Sequence, residues 1–365
     1  MKGPLIKRLD RYIIGKFIGT YLFTLLIVIL VVIVFDLSEK IGKFVENSVP
    51  LSEIVLQYYA GFIPWMLNSF SPLFVFIAVI FFTSKLATNS EIIAILSSGV
   101  SFRRLMVPYI FSAALITAFS LFMSLSVIPP ANKMRLDFEN KYIKSKQRSA
   151  EELSNLHYQI SPGQFVYVEQ YSPWANTCYR FTLETIEGGR VLSKLSAESA
   201  AWDSTFCGWT LRNYYQRDFY GESEVVVTGR TKDTIINLTI DDFNRRKNFV
   251  EWLTGPELNE VIETQRMRGD PSIKRSLIEK NNRVATPFSA FVLTVMAVAL
   301  SSRKRRGGTG INIGVGLALS FSYILFMRFS QMFVYTGALS PAFAMWLPNI
   351  LYAAIAAVLY RIAPK

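Results

Sequence analysis

Few side chains in this sequence are spaced to make or break a covalent bond. Its 365 residues include one histidine, His157, and two cysteines. No cysteine and histidine cluster has metal-ligand spacing. No G-x-x-x-x-G-K-[ST] cradle for nucleotide phosphates occurs. Gly308-Thr309-Gly310 with Gly314 imitates a glycine fingerprint, but no strand precedes it, and it reads as a flexible turn. No G-x-S-x-G elbow presents a serine nucleophile. These absences argue against an enzyme, a metal centre or a cofactor bound by this chain.

The chemistry that remains is recognition. Residues 88–105 read TNSEIIAILSSGVSFRRL. Thr88, Asn89 and Ser90 are candidate N-caps. Ser90 and Glu91 then lead a short helical pattern with Ile92, Ile95, Leu96 and Gly99 on one face. Gly99 suits the C′ position that ends such a helix. A capped helix with one carboxylate and an apolar face can dock in a groove of another protein, Glu91 meeting a cation there. It can equally rest on lipid headgroups.

This stretch joins two apolar runs, and six such runs occur. They are Phe17–Phe35, Ile54–Thr83, Leu105–Ile128, Val284–Ser302, Ile311–Met332 and Phe343–Tyr360. Each is long enough to cross a hydrocarbon core. The second carries Pro64 and Pro72 and is expected to kink. Ionisable groups inside the runs are scarce. Arg328 lies in the fifth and Asn68, Ser69 and Ser71 in the second. Arg328 either snorkels to the interface or faces an internal cavity and an anionic ligand.

The net charge is +12. Lys2, Lys7, Arg8, Arg11 and Lys16 precede the first run. Lys85, Arg103 and Arg104 follow the second, Arg303, Lys304, Arg305 and Arg306 the fourth, and Arg361 and Lys365 the sixth. The opposite loops lack this excess, so both termini belong on the cytoplasmic side. The basic clusters then serve as orientation signals and headgroup anchors, and nucleic acid is not an expected partner.

Between the third and fourth runs the sequence turns polar. QFVYVEQY (164–171), GWTLRNYY (208–215) and SEVVVTGR (223–230) alternate apolar and polar residues, as half-buried strands do. Glu187-Gly188-Gly189 and Gly221-Glu222 punctuate them. The fold class is an α-helical polytopic membrane protein of six helices with an inserted all-β, jelly-roll-like domain. The expected division is 1–128 for the first three spans, with the short helix at about 88–100, then 129–283 for the β domain with flanking helices, and 284–365 for the last three spans. Cys178 and Cys207 both fall in the insert, where an oxidising exterior permits a disulfide. Two free thiols are the alternative.

The order of these parts, with LDRYIIGKF (9–17), NSEIIAILSSGVS (89–101) and FVYVE (165–169), resembles the LptF/LptG family of lipopolysaccharide export permeases over nearly the full length. LDRY and GINIGVGLALSFSYILF (310–326) incline the resemblance to the LptG branch. The resemblance implies a permease subunit of an ABC-type transporter in the bacterial inner membrane, with its large domain in the periplasm. Its implied partners are a dimer of LptB-type ATPases, which bind the ATP, a second LptF-type permease, periplasmic jelly-roll proteins of the LptC and LptA type, and lipopolysaccharide. It makes residues 89–101 a coupling helix, with Glu91 in the ATPase groove. It also expects basic residues near the outer end of span one to meet lipid phosphates. Lys40 and Lys43 are available there, beside Asp36 and Glu39, while a deeper lysine is replaced near Phe35–Leu37. The rival readings are an ATPase-coupled lipoprotein extractor or mechanotransmitter, which has four spans, and a non-transporting scaffold.

Overall fold

The computed structural model describes residues 7–143, 154–221, 223–244, 249–302 and 308–363. The basic cluster Arg303–Arg306, Lys2 and Lys365 lie outside the described residues. Contacts divide the chain into two compact units, one helical and one built on a sheet.

The helical unit begins with α1 (Arg8–Glu46). Its 39 residues run about 58 Å at 1.5 Å per residue, roughly twice a hydrocarbon core. A short α2 (Leu51–Glu53) leads through a π-turn, Ile54–Tyr59, into α3 (Ala60–Ser69). The helix breaks at Phe70, and Pro72 enters α4 (Ser71–Thr88) in its first turn, where a missing N–H costs nothing. Pro64 stays inside α3. The expected kink is therefore a break between two helices, set by Pro72. After α5 (Glu91–Ser97) and α6 (Phe102–Phe122), a π-turn at Met123–Val127 continues into α7 (Ile128–Phe138). Beyond the sheet come α10 (Ile273–Ser301), α11 (Gly308–Tyr335) and α12 (Pro341–Ile362). Gly308-Thr309-Gly310 thus opens a helix and is not a flexible turn.

Six helical segments of the described residues are long and apolar enough to span a membrane. Those centred on α4 and α10 are the most enclosed, and α1 and α11 the least. The core joins Phe17, Phe76, Phe82, Tyr109, Leu293, Met296 and Tyr323. α4 and α11 meet so closely that a Cβ on Gly316 would lie 2.3 Å from Ile80 Cδ1. Likewise a Cβ on Gly61 would lie 2.4 Å from the carbonyl oxygen of Ala131, so glycine lets α3 touch α7. Polar links tie the apolar bundle. Tyr323 Oη donates to Asn349 Oδ1 at 2.9 Å, and Asn349 Nδ2 donates to the Ala285 carbonyl at 2.8 Å, joining α11, α12 and α10.

The second unit holds six antiparallel strands: β1 (Ser154–Ser161), β2 (Gln164–Ser172), β3 (Thr177–Glu187), β4 (Arg190–Asp203), β5 (Gly208–Tyr220) and β6 (Ser223–Thr234). Each pairs with its neighbours in chain order, so the sheet is a meander without crossover among the described strands. α8 (Ile240–Asn244) covers one face, where Phe243 meets Tyr171 and Trp209, and Trp209 Nε1 donates to the Leu238 carbonyl at 2.7 Å. α9 (Gly255–Arg268) follows. The expected insert boundaries at 129 and 283 fall inside α7 and α10.

Every ladder in this sheet skips the same row. Val168 pairs Phe181 and Gln170 pairs Tyr179, and the equivalent pairs on each other strand leave out Asn155, Glu169, Arg180, Glu198, Asn213 and Arg230. On alternate strands the row is left-handed, with φ of 53° at Asn155, 49° at Arg180 and 50° at Asn213. A left-handed residue reverses the pleat. Buried side chains are accordingly three apart across the row: Val168 and Tyr171, Cys178 and Phe181, Ala197 and Ala200. The row is a crease, its polar side chains paired outside. Arg180 donates to Glu169 at 2.8 Å and Asn213 to Glu198 at 2.6 Å.

Candidate functional site

The short helix α5 sits between α4 and α6 and is fastened to the first turns of α1. None of its three candidate caps acts as one. Ser90 adopts a left-handed φ of 61° and its side chain makes no capping hydrogen bond. Thr88 Oγ1 turns back to the Ser84 carbonyl at 2.9 Å. Asn89 Nδ2 reaches Glu91 Oε1 at 3.4 Å. The tight reversal out of α4 demands the left-handed residue, and that geometry removes the cap. At the other end Gly99 has φ 87° and its N–H donates to the Leu96 carbonyl at 3.0 Å, closing the helix.

The apolar face turns inward. Ile92 is 1% exposed within the helical core, and Ile95 and Leu96 pack against the same core. Burying a side chain of this size contributes about 2 kcal/mol. These residues, for which a partner groove was expected, pack the helix onto its own bundle. Core space beneath α5 is what claims them. The outward surface consists of Ile93, which is 49% exposed, with Ala94, Ser97 and Ser98.

Glu91 stands at the edge of this surface. Tyr12 Oη of α1 donates to Glu91 Oε2 at 3.0 Å, and Lys16 lies over the Tyr12 ring at 5.7 Å. Two residues earlier, Asp10 accepts the Lys7 N–H at 2.9 Å, which caps the start of α1. Asp10 also takes two hydrogen bonds from Arg104, Nη1 at 2.7 Å and Nη2 at 2.6 Å. This fork geometry is the strong form of the arginine–carboxylate pair. Ser101 Oγ accepts the Arg104 N–H at 3.3 Å and caps α6. The whole 88–105 segment is thereby joined to α1 at both ends. Sequence reasoning missed Asp10, Tyr12 and the role of Arg104. LDRY and FRRL carry them, but no local period links residues 94 positions apart.

The second candidate region lies at the far end of α1. Lys40 does not offer a free cation. It bonds Asp36 and the Tyr58 hydroxyl, and its ammonium lies over the Tyr58 and Phe62 rings at 4.7 and 5.5 Å. Tyr58 Oη also donates to Asp36 Oδ1 at 3.0 Å. Asp36 is 9% exposed, and a carboxylate so enclosed claims the nearest cation. That pairing engages the cation which the resemblance expected to meet a lipid phosphate. Lys43 is exposed. Nearby, Glu53 accepts from Tyr142 Oη at 2.8 Å and from Lys141 at 3.3 Å, and the Tyr142 bond holds its carboxyl below the usual range.

Arg328 is exposed and borders a polar hollow of about 160 Å³. Its walls include Asn68, Asn132, Glu279 and Arg283. Asn68 accepts from Ser120 at 2.5 Å, and Arg283 binds Glu279 at 2.8 Å and the Leu253 carbonyl at 2.7 Å. Asn132 Oδ1 has no hydrogen-bond partner. The hollow is small for a lipid and large enough for water.

Cys178 and Cys207 do not bridge. Both are free thiols, Cys178 buried on β3 and Cys207 exposed in the turn between β4 and β5. A disulfide needs both sulfurs in one place, and the hairpin carries Cys207 past the end of the strand that covers Cys178. The His157 ring lies tilted against the Tyr167 ring, their centroids 4.8 Å apart.

The family model for the lipopolysaccharide export system permease LptF/LptG matches residues 11–362. No curated protein matches the chain.

Proposed function

The chain belongs to the LptF/LptG family of lipopolysaccharide export permeases, and on that premise we propose that it converts ATP hydrolysis in a separate subunit into movement of lipopolysaccharide out of the inner membrane. The family assignment covers both branches together and does not choose LptG over LptF. It makes the chain a transport component and not an enzyme.

One observation carries the reading. The short helix between the second and third spans is bolted to span one through Tyr12–Glu91 and Asp10–Arg104. A helix merely resting on headgroups needs no such attachment. A push delivered to α5 by an LptB-type ATPase would pass into α1, one of the two least enclosed spans. Glu91 and the outward residues Ile93, Ala94 and Ser97 would form the contact, with Ile92, Ile95 and Leu96 as its backing and Gly99 as its end. The basic residues at this side place it in the cytoplasm by the inside-positive rule.

On the outer side, α1 and α11 would meet lipopolysaccharide and a second permease of the LptF type. Leu22, Phe23, Leu26, Leu30, Val34 and Phe35 line α1 with exposed apolar surface that acyl chains or a partner helix can cover. Lys43 and Arg328 are two exposed cations toward that side. The edge strand β6 exposes Val225, Val226 and Val227 and is suited to pairing with a strand of an LptC-type or LptA-type protein. The four-span arrangement of lipoprotein extractors does not fit six candidate spans.

The test is export in cells whose only copy carries Glu91→Lys. Loss of export with normal membrane insertion supports the proposal, and normal export refutes it.

A further inference from the structure

A groove of about 940 Å³ opens between α6, α10 and α12. Its floor is apolar, made by Met106, Ile110, Val292 and Val295. Ala353, Ala356 and Ala357 share one face of α12, since residues three and four apart are neighbours on a helix. Their small side chains leave the trough empty. The Phe102 and Tyr360 rings meet at 5.5 Å and wall one end. At that same end stand Arg103 and Arg361. Both are exposed, and neither belongs to an ion pair among the described residues. From Ala353 to Arg361 the trough runs about 12 Å along α12. An apolar channel parallel to the spans, ending in two unpaired guanidinium groups, matches an acyl chain that ends in a phosphate.

We infer that this groove binds an anionic phospholipid of the cytoplasmic leaflet, its tail along the alanine face and its phosphate held by Arg103 and Arg361. Arginine is suited to the phosphate because it offers paired donors. Basic pockets between spans on the cytoplasmic side bind anionic headgroups. The inference draws on the inside-positive orientation and not on the coupling role of α5. A phospholipid of this leaflet is favoured because the arginines lie toward the cytoplasmic side by the inside-positive rule, where anionic phospholipids concentrate. Bound there, the lipid would brace α6 against α12, next to the segment that joins α5.

The test is native mass spectrometry of the full-length chain in mild detergent, offered equal amounts of phosphatidylglycerol and phosphatidylethanolamine. The wild type should retain phosphatidylglycerol over phosphatidylethanolamine by about fivefold, as two arginines near a membrane surface allow. Arg103→Gln with Arg361→Gln should abolish that preference. Ala353→Phe with Ala357→Phe, at two exposed positions, should fill the trough and lose the lipid with both arginines intact. Equal retention of the two lipids by the wild type overturns the inference. So does undiminished phosphatidylglycerol on the alanine variant, or replacement of the phospholipid in the groove by added lipopolysaccharide.

Discussion

Arg104 grips Asp10 with both guanidinium nitrogens, at 2.7 and 2.6 Å, across 94 residues of sequence. Asp10 is 5% exposed and also caps the start of its own helix. The pair fixes where span three starts relative to where span one starts. Exposed ion pairs contribute little, but a bidentate pair with one enclosed partner fixes geometry. Asp10→Arg alone and Arg104→Asp alone should each lower export severalfold while the protein still reaches the membrane. Combining them should restore a measurable part. A double variant as weak as the worse single one would show that the pair does not act as a unit.

The bond from Tyr12 to Glu91 should matter less than the charge it holds. Tyr12→Phe removes one hydrogen bond, worth about 1 kcal/mol, and should reduce ATP-driven export only modestly. Glu91→Lys should abolish it. If the two variants behave alike, Glu91 serves only as an acceptor for Tyr12.

The ammonium of Lys40 is committed to Asp36. Lys40→Met strands an enclosed carboxylate and should destabilise the helical unit, read as a lower melting temperature in detergent. Lys43→Met should leave melting unchanged and weaken lipopolysaccharide retention if Lys43 meets a phosphate. The opposite pattern would restore the phosphate role to Lys40.

Burial raises the thiol of Cys178 above its ordinary value, whereas Cys207 is exposed. A raised folded pKa means the neutral thiol favours folding. That contribution is complete below about 8.5, the ordinary thiol value, and is lost as pH climbs toward the folded one. Maleimide should label Cys207 within minutes at neutral pH and Cys178 only after unfolding, under oxidising conditions too. Protection of both until reduction would reinstate the disulfide.

Much of this architecture was legible in the sequence because it rests on local patterns. Six apolar runs gave the spans, and period-two alternation gave the strands. The segment from Asn89 to Ser101 stood out for the same reason. Its facing did not. Ile92, Ile95 and Leu96 form one stripe, and a stripe cannot say whether it meets its own core or a partner. The ties of Tyr12 and Asp10 are contacts between distant residues, which no period records. Lys40 looked free because neither the enclosure of Asp36 nor the Tyr58 hydroxyl, 18 residues away, is written in the local pattern. The sheet crease was hidden too: Asn155 and Asn213 suit a left-handed backbone, but Arg180 gives no signal for one and no local period aligns the three.

That crease makes its own prediction. Arg180 holds φ at 49°, which costs a non-glycine residue about 1 kcal/mol. Asparagine tolerates this region and valine does not. Arg180→Asn should leave sheet stability equal or slightly higher, and Arg180→Val should lower it by about 2 kcal/mol. Hydrogen exchange of β2, β3 and β4 amides in the full chain reads both. Equal protection in the two variants would mean the crease is not locked.

The most direct test of the central claim is a photo-crosslinking side chain at Ile93, on the outward surface of α5. Illuminated in intact cells, it should yield an adduct with a cytoplasmic ATPase, and the same group at Ala338 in the opposite loop should not. Adducts with lipid alone at Ile93 would make α5 a helix lying on the membrane and would contradict the account.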